Sequence, residues 1–508
     1  MRRSSATMPH SKRLAQPSER LDIELSKGKG IPLFRQLHEQ IVDRIAAGEL
    51  IPGMRLPPVR SLARQLDINP MTVAKAYKDL AEAGFVESRA GGGTHVRLLN
   101  GSPAKRGTNG KEAPLQQPLL SERLYELSHA PGVIAFTANF PAVERSCLEE
   151  LKVCIRTAMS HDMSSLLYYA PPAGQLELRQ RISDYVKEQG IVASSDNLVV
   201  TSGAQQAIDL IVRCLVPPGT PAVIERPAYY GVINSLRAVQ ARILEVPIED
   251  DGMDVDKLEA CLARHRPRLI YTNPTFQNPT GISTSEEKRR AILALARKYG
   301  VAILEDDHNS ELRFFGRPIP PIRALAKPDD PVFFVRSFGK VFLPGTRLGY
   351  VVVPLPARRQ LLMMKAHADL HTNLIMQDAM AVFLARRNYV EILDRMRKVY
   401  GARQKHLIAK LMRGMPPGTD VVQPEGGLSL WLTLPEGTEV SELYFRAVRR
   451  GVAFVAGEVF YASRDNPRTL RVSFGSVSDK DLDEGVDRLC SVANDLMRPR
   501  MAPSPIFT

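Results

Sequence analysis

The sequence predicts an α/β protein with an N-terminal winged helix-turn-helix and a larger domain whose mainly parallel sheet is covered by helices. Two short helical patterns, separated by a tight turn, precede a hairpin pattern with a glycine-rich tip in the first hundred residues. From about residue 120 onward, helical patterns alternate with short β-branched runs, which is typical of a parallel sheet. The 508 residues are 44% apolar, enough for a large core and more than one domain.

The positive charge is concentrated at the N-terminus. The formal net charge is +13, and residues 1–120 alone hold 19 Lys/Arg against 11 Asp/Glu. This asymmetry favours a polyanion as the partner of the first quarter, although ordinary solubility charge gives the same balance.

The composition argues against several other classes of protein. The five cysteines include no Cys-x-x-Cys pair and no His–Cys group with zinc-ligand spacing, so neither a disulfide framework nor a metal site is predicted. No apolar run reaches 18 residues, and no apolar segment follows the charges at the start. We therefore expect a soluble, cytoplasmic protein.

The first ordered element is predicted near Pro32, after a polar and basic tail at 1–25 that we expect to be disordered. Apolar residues then recur at helical spacing until Gly48, which suits a left-handed C-cap. A second, short amphipathic helix is predicted over 59–66.

A third helix follows directly, with Asn69 as its cap and Pro70 at its first position. One face of this helix is apolar and the other carries Thr72 and Lys75. Two helices joined in this way form a helix-turn-helix, whose second helix usually enters the major groove of DNA. Residues 84–89 and 94–97 then flank a glycine-rich tip, which predicts a wing.

Residues 32–97 resemble the DNA-binding domain of GntR-type regulators, with 56–63 and 71–80 as the matching motifs. The resemblance implies a domain at 26–98 that binds double-stranded DNA through a group of residues on the helices and the wing: Arg60, Thr72, Lys75 and Gly92. Pro58 and Pro70 stand where the family often has serine and arginine, which leaves fewer polar groups to read bases. The alternative is a helical protein-interaction module.

Residues 99–120 are predicted to be a flexible linker because the stretch from Asn100 to Glu112 holds no apolar residue except Ala104. The large domain is then predicted at 121–500. Its ligands should collect at the carboxyl ends of the strands, as in other parallel sheets.

Lys340 is the principal candidate in the large domain. It follows an apolar strand pattern at 333–336, and partial burial there would lower its pKa and free the amine to attack a carbonyl. Ser337 and Arg347 flank it with groups that suit a phosphate. Taken alone, the same pattern fits a surface lysine in a turn.

The stretch 337–350 resembles the lysine motif of fold-type I aminotransferases (class I/II), in the variant of MocR/GabR-type transcription regulators. This resemblance implies a PLP-dependent transferase fold with a small C-terminal α+β subdomain, pyridoxal 5'-phosphate (PLP) bound by Lys340, and a homodimer. The family commonly has serine and threonine where Gly339 and Val341 stand, and a glycine where Asn139 stands.

Further cofactor contacts are expected from motifs in the family order. Residues Ser202, Gly203 and Ala204 follow a strand and open an apolar helix, where backbone N–H groups can receive a phosphate. By resemblance, Tyr229 stacks on the pyridine ring and Asn278 binds the phenolic oxygen.

The acidic run after the fourth strand pattern supplies the partner of the pyridine nitrogen. The resemblance favours Asp306, with Asp307 as the second candidate. His308 stands in place of a family tyrosine that binds the phenolic oxygen, and a histidine ordinarily titrates near neutrality.

Two more residues complete the predicted site. Arg471 resembles the arginine that binds a substrate carboxylate, although an edge-strand arginine facing water is the alternative. Tyr169 matches a tyrosine that reaches the phosphate of a neighbouring subunit.

Joined to the winged helix, these motifs predict a transcription regulator that binds PLP and senses an amino compound or PLP itself. A working aminotransferase with an accessory DNA-binding domain stays open, since Lys340 could also act as a general base. A regulator with a vestigial pocket is a third hypothesis.

Overall fold

A computed structural model describes most of the chain. The described residues are 21, 23, 25, 32–46, 50, 54–82, 85–89, 93–96, 132–142, 145–160, 164–340, 343–463 and 467–497. The chain divides into an N-terminal unit, Met1–Leu119 with Tyr444–Arg450 grouped to it, and a larger unit, Leu120–Leu443 and Gly451–Thr508. The predicted linker at 99–120 and the wing residue Gly92 lie outside the described residues.

The N-terminal unit is a winged helix-turn-helix, as predicted. Its elements are α1 (Leu33–Ala46), α2 (Val59–Gln65), α3 (Pro70–Glu82), β1 (Val86–Arg89) and β2 (Gly93–Val96). The two strands pair antiparallel, with Val86 opposite Val96. The Asn69 side chain accepts a hydrogen bond from the Met71 N–H at 2.8 Å, which confirms the predicted cap of α3.

The predicted tail at 1–25 is too long. Leu21 and Ile23 are buried in the core of the N-terminal unit, and Leu25 packs against that core. The Gln65 side-chain amide donates to the Leu21 carbonyl at 2.6 Å and holds the segment in place. The residues that pack with them lie further along the chain, so the short apolar alternation at 21–25 does not by itself predict an ordered segment.

The larger unit contains the predicted mainly parallel sheet. Its strands are β4 (Leu198–Thr201), β5 (Pro221–Arg226), β6 (Arg242–Glu249), β7 (Gly252–Met253), β8 (Leu269–Thr272), β9 (Ala302–Asp307), β10 (Val332–Ser337) and β11 (Gly349–Val352). Their order is β4-β11-β10-β9-β8-β5-β6-β7. Only β11 and β7 run against their neighbours in this sheet.

Helices cover both faces of this sheet. The helices between residues 145 and 414 are α4 (Arg145–Met159), α5 (Leu176–Lys187), α6 (Ala204–Leu215), α7 (Tyr230–Ala238), α8 (Val255–His265), α9 (Glu286–Tyr299), α10 (Ile322–Leu325), α11 (Leu355–Asp369), α12 (Leu374–Arg386) and α13 (Tyr389–Gly414). Successive residues of β5 show the two-sided burial, because Ile224 packs with α6 and α7 whereas Val223 packs with α8 and α9.

A second, smaller sheet confirms the expected α+β subdomain. It contains β12 (Asp420–Val421), β13 (Ser429–Thr433), β15 (Val455–Ala456) and β16 (Thr469–Ser473), all antiparallel in the order β12-β13-β16-β15. A separate parallel pair joins β3 (Ile134–Ala135) to β14 (Val452–Ala453). The remaining helices are α14 (Val440–Arg449) and α15 (Asp479–Met497). Among the helices that the structure describes, none is long and apolar enough to cross a membrane.

The strand directions gather the predicted site residues at one edge of the large sheet. Strands β4, β5, β8, β9 and β10 all end at this edge, and the antiparallel strand β11 begins there. Side chains far apart in sequence are thereby brought together, as expected for a parallel sheet.

A buried ion cluster ties β9 to β10. The Arg336 guanidinium donates to the Asp307 carboxylate, to Ser310 Oγ at 2.6 Å and to Glu311 Oε1 at 3.3 Å. The Tyr185 hydroxyl also donates to Glu311. The side chains of Arg336 and Asp307 are only 2% and 4% exposed, so removal of either charge would leave the other buried without a partner.

We predict that Arg336→Met destabilises the larger unit by about 3–5 kcal/mol, since it leaves two carboxylates uncompensated in the interior. A thermal melt of the full chain checks this as a lowered melting temperature. The matched control is Arg290→Met, whose i,i+4 pair with Glu286 is 60% and 46% exposed and should contribute less than about 1 kcal/mol. Equal shifts for the two variants would contradict the interpretation.

Candidate ligand site at the carboxyl edge of the sheet

Lys340 lies in the short turn after β10 and is partly exposed. Burial of the amine lowers its pKa to about 7, and the positive charge of Arg471 adds to this effect, while Asp306 opposes it. A large fraction of the amine is therefore neutral at physiological pH, which is the state that attacks a carbonyl.

Asp306 is buried near the end of β9, and one of its two carboxylate oxygens has a hydrogen-bond partner. Its Oδ2 accepts a hydrogen bond from the Tyr271 hydroxyl at 2.8 Å, whereas Oδ1 is buried and has no partner among the described residues. Burial raises the pKa of this carboxyl to about 7, although the Tyr271 hydrogen bond opposes the rise. A protonated ring nitrogen at Oδ1 would satisfy the orphaned acceptor, so the donor set fits a pyridine cofactor.

Asp307 has no free carboxylate oxygen to accept a hydrogen bond from a ligand. Burial raises the pKa of its carboxyl, but the adjacent Arg336 charge and hydrogen bonds from Arg336 and Ser310 outweigh it and hold the pKa below the usual value. Of the two acidic candidates, Asp306 is thus the one with a free oxygen.

His308 follows β9 and contacts Asn273, with 3.1 Å between His308 Nδ1 and the Asn273 amide nitrogen. Burial lowers the pKa of the ring to about 3, and the positive charges of Lys340 and Arg471 add to this effect against that of Asp307. The expectation of titration near neutrality is therefore wrong, because the folded chain keeps this imidazole neutral at physiological pH.

Arg471 and Asn278 are joined directly. Arg471 Nη1 donates to Asn278 Oδ1 at 2.7 Å, and Nη2 donates to the Thr137 carbonyl at 2.9 Å. The guanidinium lies 5.1 Å from the centre of the Phe460 ring. Arg471 is buried in β16, which lies between β13 and β15, so the alternative of an edge arginine facing water is wrong.

The predicted phosphate end is formed by the turn between β4 and α6. Arg347 Nη2 donates to the Ser202 carbonyl at 3.3 Å, and a Cβ on Gly203 would lie 3.0 Å from that same nitrogen. Gly203 also has φ near +87°, which favours glycine. The Ser202 N–H donates to Gln206 Oε1 at 2.7 Å, so this donor is already used.

The Ser337 side chain forms hydrogen bonds that stabilise the turn that carries Lys340. Its hydroxyl donates to the Leu348 carbonyl at 3.3 Å and accepts from the Gly339 N–H at 3.1 Å. The turn that carries Lys340 is consequently fixed to the start of β11.

Tyr229 interacts electrostatically with Asp306 and Arg471, whereas Tyr169 of the same chain contacts His371 instead. Burial raises the pKa of the Tyr229 hydroxyl, and the charges of Tyr230 and Asp306 add to the rise while Arg471 opposes it. Tyr169 is 83% exposed, and its ring lies 6.0 Å from that of His371.

Three of the candidate DNA-contacting residues lie on described helices of the N-terminal unit. Arg60 on α2 and Lys75 on α3 are exposed, and Thr72 is half-buried. Lys75 Nζ lies 3.8 Å from the centre of the Phe34 ring, a cation–π contact that orients the ammonium.

Several residues that shape the site carry no recognisable signal in the sequence. Glu225 accepts hydrogen bonds from Thr272 Oγ1 at 2.6 Å, from the Asn273 N–H at 3.1 Å and from Gln277 Nε2 at 3.1 Å, and thereby fixes the loop after β8. Tyr271 orients Asp306 in a similar way. These contacts join residues 35 to 52 positions apart, so no local pattern could predict them.

Comparison with known proteins gives two family matches. Residues 131–489 match the model described as "Aminotransferase class I and II", and residues 33–96 match "Bacterial regulatory proteins, gntR family". The "Probable rhizopine catabolism regulatory protein MocR" of Rhizobium meliloti is 28% identical across 92% of this chain and 95% of its own length.

Solved structures resemble the larger unit. The multiple substrate aminotransferase from Thermococcus profundus is 31% identical, covers 75% of this chain and 96% of its own, and gives a TM-score of 0.71. LysN, the alpha-aminoadipate aminotransferase from Thermus thermophilus complexed with N-(5'-phosphopyridoxyl)-L-leucine, is 32% identical, covers 73% and 94%, and gives a TM-score of 0.68.

The lowered pKa of Lys340 predicts its reactivity with pH. In ligand-free protein labelled with trace acetic anhydride, the acetylation rate of Lys340 should rise from pH 6 to pH 8 and then level off, since the neutral fraction saturates above a pKa of about 7. Peptide mass spectrometry measures the rate at Lys340. A rate that keeps rising about tenfold per pH unit to pH 9, as for a lysine with an ordinary pKa near 10.4, would contradict the prediction.

Proposed function

The chain belongs to the aminotransferase class I and II family, and we propose that it works as a DNA-binding transcription regulator whose larger unit senses an amino compound or PLP. The observation that carries this conclusion is the combination in one chain of a gntR-type winged helix with a lysine whose pKa burial lowers to about 7. A catalyst alone has no use for the first of these parts.

The larger unit binds pyridoxal phosphate, and the residues present fit that group. Asp306 Oδ1 would take the ring nitrogen, Lys340 would bind the aldehyde, and Asn278 and His308 would flank the phenolic oxygen. Arg347, with the start of α6, would hold the phosphate through charge and backbone N–H groups. When bound, the cofactor supplies an electron sink for carbanion chemistry on an amino compound.

The effector is proposed to be an amino compound with a carboxylate, bound beside Lys340 by Arg471. The Arg471 guanidinium is already held in place by Asn278 and the Thr137 carbonyl, so a carboxylate would meet a preorganised partner. Because its pKa is about 7, Lys340 can exchange a proton with the amine at physiological pH. Effector binding alters DNA binding only if the effector has different affinities for two states of the chain.

We propose that the active form is a homodimer. The segment that carries Tyr169 exposes a run of large apolar side chains, with Leu167 at 78%, Tyr168 at 76% and Tyr169 at 83% exposed. A contiguous apolar surface of this kind favours a protein contact, and a second copy would bring Tyr169 to the partner's phosphate end.

A working aminotransferase is the second candidate, because both Lys340 and Asp306 retain the properties that proton transfer needs. An assay of multiple-turnover transamination with a keto acid acceptor distinguishes the two functions. Little or no turnover together with effector-dependent DNA binding is the expected result. Sustained turnover without any effect of amino compounds on DNA binding would contradict the proposal that the chain is a regulator.

Cofactor binding is tested with Lys340→Ala. Protein purified with PLP should show the absorption band of the covalently bound cofactor, and the variant should lose it because no other described lysine occupies the turn after β10. The control is Lys298→Ala, which removes a lysine that is 61% exposed and pairs with Glu259. Absence of the band from the unchanged protein would support a vestigial pocket instead.

DNA binding is tested with Arg60→Ala and Lys75→Ala. Each variant should weaken binding to the DNA upstream of the chain's own gene and reduce the slope of log affinity against log salt by about 1 for each phosphate that the side chain neutralises. Fluorescence anisotropy across a salt series measures both quantities. Lys152→Ala, which removes an exposed lysine of α4, should leave the slope unchanged. Unchanged slopes for Arg60→Ala and Lys75→Ala would place the DNA-binding surface elsewhere.

A further inference from the structure

We propose that Asn273 fixes His308 as the neutral tautomer with its proton on Nε2, so that His308 presents a single uncharged N–H donor to a ligand oxygen. The tautomer follows from contacts within the chain. Its consequence for the phenolic oxygen of PLP rests on the proposed function.

The orientation of the Asn273 amide is set by a backbone donor. The Asn278 N–H donates to Asn273 Oδ1 at 2.6 Å, so the oxygen of the amide must face Asn278. The amide nitrogen then faces the other way, where it donates to the Asp306 carbonyl and lies 3.1 Å from His308 Nδ1. If the two amide atoms were exchanged, the amide nitrogen would face the Asn278 N–H, which is a donor, and the amide oxygen would face the Asp306 carbonyl, which is an acceptor.

The tautomer of His308 follows from that orientation. An amide nitrogen only donates, so His308 Nδ1 must accept, and the proton of a neutral imidazole is then on Nε2. A second proton is disfavoured because Lys340 and Arg471 face the ring with positive charge, whereas Asp307 is the one acidic group whose charge opposes them. Asn273 is fully buried, and its side-chain amide bonds the Asn278 N–H and the Asp306 carbonyl at once, so the amide cannot turn away.

The Nε2 atom is left available for a ligand. It is buried and has no hydrogen-bond partner among the described residues, although the residue as a whole is partly exposed. A buried donor without a partner is costly, and an oxygen acceptor would relieve that cost. A neutral donor stabilises such an oxygen without adding a positive charge beside Lys340 and Arg471. Asn273 is thus a positioning residue that acts through His308.

The test is a nitrogen NMR spectrum of the histidine rings in the cofactor-free full chain, grown with isotope-labelled histidine. His308→Gln identifies the His308 signals by their loss. We expect Nδ1 to have the shift of an unprotonated nitrogen and Nε2 that of a protonated one, without change from pH 5.5 to pH 8. A proton on Nδ1, or a charged ring that titrates near the ordinary pKa of about 6.5, would overturn the proposal.

His371 provides an internal control with the opposite pattern. Its Nδ1 lies 3.0 Å from the Thr372 carbonyl oxygen, which only accepts, so its proton should be on Nδ1. His371→Gln assigns its signals in the same way.

Asn273→Asp tests the role of the amide itself. One carboxylate oxygen can still accept from the Asn278 N–H. The other replaces the donor that faced the Asp306 carbonyl and His308 Nδ1, and only His308 can offer it a proton, so the His308 proton should move to Nδ1 or the ring should become charged. An unchanged His308 tautomer in this variant would show that Asn273 does not set it. If the variant does not fold, the spectrum of the unchanged chain still decides the tautomer. Because no cofactor is present, failure of this inference is distinguishable from failure of PLP binding.

Discussion

The site depends on how the chain satisfies a run of carboxylates that it buries at the end of β9. Glu305 accepts the N–H groups of Ile322 and Arg323 at 2.7 and 2.8 Å, where α10 begins. Asp307 is paired with Arg336. Asp306 receives one hydrogen bond, and its other oxygen has no hydrogen-bond partner in the part of the chain that the structure describes. The position of that free oxygen determines which ligand the surrounding residues can accept.

Burial affects the acid and the amine of the site in opposite ways, and both effects favour chemistry near neutral pH. It raises the pKa of Asp306 and lowers that of Lys340, each to about 7, because a charged group is disfavoured in the interior. The charge of each group partly opposes the shift of the other. The same surroundings keep His308 neutral, so Lys340 and Asp306 are the two members of this group whose charge changes near neutral pH.

Much of the fold was predictable because it follows local rules. Alternating apolar runs predicted the mainly parallel sheet, and Asn69 predicted the start of α3. The strand ends also predicted where Lys340 and Asp306 would lie. The failures have a common cause, since they depend on partners distant in sequence: Leu21 and Ile23 are buried by helices further along the chain, and the pKa of His308 is set by the surrounding fold. The roles assigned to Tyr169 and Arg60 stay predictions.

The account is tested most directly by the affinity of the full chain for the DNA upstream of its own gene, measured with PLP and a panel of amino acids, and compared with Lys340→Ala. If the chain is a regulator of this kind, PLP or one amino compound should change the DNA affinity of the unchanged chain. The DNA affinity of Lys340→Ala should not respond to the same compound. Equal responses of the two proteins, or no response of either, would contradict a sensor that acts through Lys340.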